Sequence, residues 1–543
     1  MKEEVSLKLQ RVFHSSVPTL GAVNGHPVFI VDGKPFILLA GEVHNSSSSS
    51  LEYMEQVWEK AEVLGMNCLL LPVTWELVEP EEGRFDFSLV QGLIEQARAH
   101  RMKIAFLWFG AWKNAQCYYA PAWVKTDTQR FRRAEIEKGK GFIRIKDFYD
   151  MPYTSLSYLC DETMRADARA FGRLMAFIRE IDSEKRTVVS VQIENETGVM
   201  GAARERSDEA DALFASPVPS DFAEYMRSAV KSMTPDMKKA VEGGKAQGAW
   251  RDVFGPEAEE VFSAYHVARY VDAVAEAGKK EYPLPFSVNC WLNKAGDPAG
   301  VYPSGGPISK MREVWRFCAP HIDLYAPDIY LPNFSEICAE YTRRGEALYI
   351  PECATHRYAA ARNILCVGRY HAACYSPFGF EDMGQPLNAQ QMALFGADAA
   401  DPALKSPQEL EPYGKINRLL DGMMAKLTAQ YGTENLQAGS GELEKASLFH
   451  MGKINIRADY MKPEGACLAL RENDSDFWIL AYEAALNIVS ADPEKPGLDF
   501  TLLEEGRFEN GLWHRGRRLN GDEAVGNTYS EPTLLHIKTF LYE

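Results

Sequence analysis

The chain has 543 residues, 46% hydrophobic, 11% aromatic and 25% charged, which suits a large buried core and excludes a disordered or fibrous chain. At roughly 150 residues per domain, the length accommodates two to four domains, or one large barrel with an appendage. With 59 Lys and Arg against 76 Asp and Glu, a formal charge of −17, the chain lacks the cation excess that phosphate binding needs, so no nucleic-acid partner and no membrane partner is expected.

The opening MKEEVSLKLQRVF is acidic within four residues and has no apolar run, so no secretory leader is expected there. No later stretch is long and uncharged enough to span a bilayer. A soluble, cytoplasmic protein is the expectation. The 10 cysteines scatter from Cys68 to Cys467 without a C-x-x-C pair, which predicts reduced thiols rather than a zinc ribbon or a dithiol site.

From about residue 28 to 380, short apolar runs alternate with segments of helical period, the pattern of repeated β-α units. The runs are Phe36 to Ala40, Cys68 to Thr74, Ile104 to Phe109, Val188 to Ile193, Phe286 to Cys290, Ile322 to Tyr325, Ala347 to Ile350 and Ala372 to Tyr375. Their unbroken hydrophobicity suits parallel strands covered on both faces. Between them, Ser49 and Glu52 form a capping box ahead of Met54, Val57, Trp58, Ala61 and Leu64, with Gly65 as the C-terminal stop. Leu89, Val90, Leu93, Ile94 and Ala97 repeat the helical spacing, as do Met164, Ala168, Phe171, Met175 and Ile178. Eight such units predict an α/β fold, a (β/α)8 TIM barrel over residues 1–430.

An acidic insertion at about 201–255 interrupts the rhythm after the fourth run. It is read either as a wall of the pocket or as a peripheral helical decoration. Beyond a helix near Lys415 to Tyr431, alternating segments such as SLFHMGKINIRADYM and LLHIKTFLY predict a smaller antiparallel, sandwich-like β domain over 431–543.

Two acids close buried runs. Glu196 follows the fourth run in VVSVQIENETG, and Glu352 follows the seventh in ALYIPECATH. A carboxylate at the C-terminal end of a barrel strand points into the reactive face. One such acid alone serves equally well as a helix cap or an ion-pair partner; two on different strands point to acid/base and nucleophile.

These residues carry a resemblance. The sequence resembles the clan of (β/α)8 retaining glycosidases, and more narrowly glycoside hydrolase family 35, the β-galactosidase family. The matching segments are FIVDGKPFILLAGEVHNS, TWELVEPEEGRFDF, VQIENETG and CYSPFGFED. A bacterial subgroup with a small C-terminal β domain of unassigned function is closest, through GRFENGLWHRGRRLNGDE among others. Departures lie at Asn45 after His44, at Glu76 after Trp75, and in FLWFGAWKNAQCYYAPAWV, which lacks the family's Gly-Pro-Tyr pattern.

The resemblance implies a retaining, exo-acting β-glycosidase with Glu196 as acid/base and Glu352 as nucleophile. A β-galactosidase is the first expectation; a β-glucosidase, a transglycosylating relative and a non-catalytic sugar-binding barrel are the alternatives. Asn195 is expected at the sugar 2-hydroxyl and Tyr330 as a donor to Glu352. Trp75, Trp108, Trp112, Trp291 and Phe378 close strands and serve either as flat walls for sugar rings or as core. Glu42 and Glu76 are expected hydroxyl acceptors, His44 a pocket residue, and Glu194 a buried partner for an Arg or Lys behind the site. His356 and His371 are too isolated to hold a metal, and Cys353 reads as packing. No metal or cofactor is expected; the partner is an oligosaccharide or glycoside, and homo-oligomer formation is left open.

Overall fold

The computed structural model describes residues 17–144, 152–398, 400–405, 409–525 and 527–543. The segment MKEEVSLKLQRVF, from which the absence of a leader was expected, lies outside them.

The eight apolar runs form eight parallel strands: β1 Leu38–Glu42, β2 Cys68–Thr74, β3 Lys103–Phe109, β4 Val188–Ile193, β5 Phe286–Trp291, β6 Leu324–Asp328, β7 Tyr349–Ile350 and β8 Cys374–Tyr375. They neighbour one another in the order β6-β5-β4-β3-β2-β1-β8-β7. The two ends of this sheet meet at a parallel bridge between Ile329 and Cys353, where the Ile329 amide donates to the Glu352 carbonyl at 2.9 Å. The result is a (β/α)8 barrel. The first run starts two residues late as a barrel strand, because Lys34–Phe36 pairs antiparallel with His26–Val31 instead.

Alternation decides what each strand side chain meets. Leu38, Ala40, Cys68, Leu70, Ala105, Leu107, Ala326 and Cys374 fill the barrel, and Phe29 and Val31 of the N-terminal hairpin join them. Small side chains dominate because eight strands leave little interior room. The opposite face packs on the helices: α1 Leu51–Val63, α2 Ser88–Ala99, α3 Asp161–Asp182, α4 Ala258–Glu281, α5 Arg312–Cys318, α6 Phe334–Thr342 and α7 Ala359–Arg369. Helix α1 buries the expected stripe, and Gly65 takes the left-handed stop at φ +62°. Its cap is Ser50 rather than Ser49. Ser47–Ser49 coils into a 3-10 turn, so Ser50 accepts the Tyr53 amide at 3.2 Å.

The insertion emerges after β4 as four short helices, Asp208–Ala215, Ser220–Ser228, Pro235–Gly243 and Trp250–Phe254. Fully buried Phe222 meets Trp250, Phe254, Tyr265 and Phe317. It therefore packs against α4 and α5, as a peripheral helical layer.

Helix α8, Glu411–Gly422, leads to two antiparallel sheets of six and four strands. Phe449, Ile456, Phe477, Ile479 and Ile537 fill the space between them. On the other face of the six-stranded sheet, Leu468, Leu470, Leu480 and Leu534 join the core that surrounds the barrel. The 10 cysteines are free and buried.

Replacing Phe222 by Ala should destabilise the protein by about 3–5 kcal/mol, the usual cost of deleting a buried ring. Denaturant unfolding measures it; a loss below ~1 kcal/mol would mean that the insertion does not pack as described.

Candidate active site

At the end of β4 the backbone turns twice into the left-handed region, at Glu194 (φ +59°) and Glu196 (φ +46°). Each turn costs roughly 1–2 kcal/mol for a residue with a Cβ. Together they send neighbouring side chains to opposite sides. Glu194 points behind the site, accepting the amides of Gly110, Ala111 and Trp112 at 3.1, 3.2 and 2.8 Å. Among the described residues no Arg or Lys pairs with it as expected; Asp167 lies beside it instead, bound by the Trp108 indole N–H at 2.8 Å and the Tyr270 hydroxyl at 3.0 Å. Burial, and then the Asp167 charge, push the Glu194 carboxyl well above its ordinary range. The three backbone amides do the work expected of a cation.

Asn195 and Glu196 face forward, into a hollow at the C-terminal ends of the strands. Glu352 accepts hydrogen bonds from the Tyr330 hydroxyl at 2.7 Å, Asn195 Nδ2 at 3.2 Å and Asn289 Nδ2 at 3.4 Å. Asn289 also donates to Asp328 at 2.8 Å and accepts the Glu196 amide at 2.9 Å. Lys113 Nζ donates to Asn195 Oδ1 at 3.0 Å and stands 4.0 Å from Glu352. Carboxylate oxygens of Glu196, Asp328 and Glu352 lie within 4.8 Å of one another. Such a trio offers oxygen ligands to a hard cation, but here the Lys113 ammonium already supplies positive charge.

Glu196 and Glu352 are each 4% exposed, so their charges interact with little screening by water. Burial, and then the Glu352 charge, push the Glu196 carboxyl up to about 8. Burial followed by Glu352 and Glu196 raises Asp328 well above the carboxylate range. Burial alone would lower the Lys113 ammonium, but Glu352, Glu196, Glu42 and Asp328 outweigh it and raise it. Glu42, at the end of β1, is fully buried, and neither of its oxygens meets a hydrogen-bond partner among the described residues. Burial and Glu352 push it well above its ordinary value too.

Phe378, His44 and Trp291 are half-buried. Phe378 lies edge-on to the His44 ring at 5.5 Å, its ring centre 6.0 Å from Lys113 Nζ, and His44 bonds Asp382 at 2.9 Å. Three of the tryptophans considered as walls are core instead. Trp75 is fully buried, its indole bound to Glu79 at 2.9 Å and edge-on to Trp123. Trp108 alternates outward on β3 toward α3, bound to Asp167, while Phe109 faces the interior. Trp112 is likewise core, against Ser155 and Tyr270. Glu76 is engaged by Lys125 at 3.3 Å.

Cys353 is buried and pushed up to about 12 by that burial, as packing requires. Burial lowers His356 to about 3 and His371 to about 4, leaving both neutral.

Sequence reasoning missed Lys113, Asn289 and Asp328. Asn289 and Asp328 were legible as polar residues inside the apolar strands FSVNCW and LYAPD. Lys113 follows β3 in a loop, where no strand period marks it.

Fold and site thus define a (β/α)8 protein with a carboxyl-lined hollow on its reactive face. Residues 28–135, which span β1 to β3, match the model of Glycosyl hydrolases family 35. Residues 413–529 match a domain of unknown function, DUF5597. The β-galactosidase of Xanthomonas manihotis is 28% identical over 192 residues, covering 34% of this chain and 27% of that protein. Among solved structures, the β-galactosidase of Rahnella sp. R3 is 14% identical over 72% of this chain and 57% of its own, with a TM-score of 0.46. That of Marinomonas ef1 is 10% identical over 72% and 62%, with a TM-score of 0.45.

Because native Glu196 holds its proton up to about pH 8 while an unfolded glutamate releases it near 4.5, the native state binds the extra proton. Its contribution to stability therefore falls as pH rises between those values. Glu196→Gln should remove that decline. Denaturant unfolding at pH 5 and 8.5 tests this: the variant should gain on the wild type at the higher pH, and an equal difference at both would contradict it.

Proposed function

We propose that this protein is a retaining, exo-acting β-glycosidase, with β-galactosides as its first substrates. The observation that carries the reading is the pairing of Glu196 and Glu352, oxygens within 4.8 Å, on separate strand ends. Retaining hydrolysis needs two carboxyls about 5–5.5 Å apart, one protonated and one ionised. The family 35 match and the Xanthomonas manihotis relative favour galactose, and the deep burial of both acids favours a terminal sugar over a mid-chain one.

Glu352 attacks the anomeric carbon. Tyr330, Asn195 and the Lys113 ammonium concentrate negative charge on it, and burial holds Tyr330 well above its ordinary range, so it remains a donor. Glu196, protonated below about 8, delivers its proton to the departing oxygen as the glycosyl-Glu352 ester forms. It then accepts a proton from the water that cleaves that ester. Asn195 faces the sugar 2-hydroxyl, where a hydrogen bond strengthens as charge develops. The unpartnered oxygens of Glu42 take sugar hydroxyls, while Trp291 and Phe378 offer apolar faces. Among the described residues no helix is long and apolar enough to cross a membrane. That absence and the free buried thiols fit our placement of the protein in the cytoplasm.

The test uses aryl β-glycosides and azide. Glu352→Ala should lose roughly four orders of magnitude in kcat/KM, and azide should restore turnover as the α-glycosyl azide. Glu196→Ala with azide should give the β-azide, because the enzyme ester is then intercepted. NMR of the anomeric proton reads both. Full activity in Glu352→Ala, or first-formed α-sugar from the wild type, would sink the reading, and a glucoside preference would shift the sugar.

A further inference from the structure

We propose that the C-terminal β domain, the part of unknown function, clamps the strand that carries Glu352. Glu352 follows β7, a strand of 2 residues, whereas β2 and β3 have 7 each. On one side β7 pairs with β8 through Tyr349–Cys374 and Ile350–Tyr375; on the other, the Ile329–Cys353 bridge is the one strand pairing with β6 among the described residues, supplemented by the Tyr330 hydroxyl on the Glu352 carboxyl. This seam has the shortest ladder in the barrel. Its backbone ladder alone fixes the main chain at Glu352 through few pairings.

The β domain docks behind that seam. Helix α7 begins seven residues after Glu352, and the Tyr375 hydroxyl fixes its first carbonyl, Ala359, at 3.0 Å. Arg362, in the first turn of α7, is 4% exposed and makes a two-pronged ion pair with Glu442, at 2.9 and 2.5 Å. Glu442 lies in the turn after Leu436–Ser440, the edge strand of the six-stranded sheet. A buried fork of this kind fixes orientation as well as distance. At the other end of α7, Gly368 lets the sheet approach closely: a Cβ there would stand 2.6 Å from Ala438 and 2.8 Å from Leu468. Arg357, two residues before α7, pairs with Glu464 of the same domain at 3.3 Å as well as with Asp401 at 3.0 Å. Salt bridge, close packing and this second pair all bear on the single connection between Glu352 and α7. Glu442 and Arg362 are therefore positioning residues that act through that connection.

The experiment compares full-length wild type, Glu442→Gln, Glu442→Asp and Gly368→Ala. Two quantities are read: backbone hydrogen exchange in 347–358 against 188–197, and kcat and KM on an aryl β-galactoside. Glu442→Gln and Gly368→Ala should speed exchange in 347–358 while leaving 188–197 unchanged. They should also lower kcat about 10- to 100-fold, the penalty of a misplaced reacting group, with KM within twofold. Glu442→Asp should recover part of both. Unchanged exchange in 347–358, or equal acceleration in both segments, overturns the clamp, as does a fall in kcat with no local exchange change. If Glu442→Gln does not fold, Glu442→Asp and Gly368→Ala decide by the same criteria. The kinetic arm rests on the glycosidase reading. A wild type that cleaves no glycoside defeats that reading alone, because the exchange arm stands without turnover.

Discussion

The structure is organised around one electrostatic constraint: four carboxyls, Glu42, Glu196, Asp328 and Glu352, share a nearly dry hollow with the Lys113 ammonium. Two carboxylates within 4.8 Å repel by about 3 kcal/mol at an effective dielectric of 20. Full ionisation is therefore costly, and Glu196, Asp328 and Glu42 are all held above their ordinary range. Glu352 is the carboxyl that collects donors, from Tyr330, Asn195 and Asn289, with Lys113 close by. In the proposed reaction, an acid and a nucleophile arise from chemically identical side chains because their surroundings differ.

The barrel supplies that difference through the two-residue period of its strands. On β1, Leu38 and Ala40 face the apolar interior and Glu42 continues the same face; on β6, Leu324 and Ala326 precede Asp328. Each inward face runs from apolar floor to acidic rim. The floor, closed by Phe29 and Val31, keeps water from solvating the acids from below. Strain is placed where strand geometry alone cannot aim a side chain. Glu194 and Glu196 adopt positive φ, as do Asn114 and Ala115 in the turn that follows Lys113. The amide of Ala115 binds the Glu196 carbonyl at 3.0 Å, joining the two strained segments.

The barrel was legible because doubly covered strands write themselves as unbroken apolar runs, and Glu196 and Glu352 because they end such runs. Tryptophans were harder. Trp75 and Trp108 also stand at strand ends, but rank along a strand does not say which face a side chain takes. Trp108 shares the outer face with Ile104 and Phe106. Asn289 and Asp328 could have been found by asking which polar residues interrupt an apolar run. Lys113 could not, since its position depends on a turn and on Asn195, 82 residues away. The partner of Glu194 was misjudged for a related reason: three backbone amides and a neighbouring acid leave no mark on the residue pattern.

The most direct test is covalent. A 2-deoxy-2-fluoro β-glycoside with a good leaving group slows both steps of double displacement and lets the glycosyl-enzyme accumulate, so intact mass followed by peptide mapping identifies the carboxyl that attacks. The account predicts one added sugar per chain, on the peptide containing Glu352. Label on Asp328, or hydrolysis of the parent glycoside by a protein that never takes up the label, would contradict it.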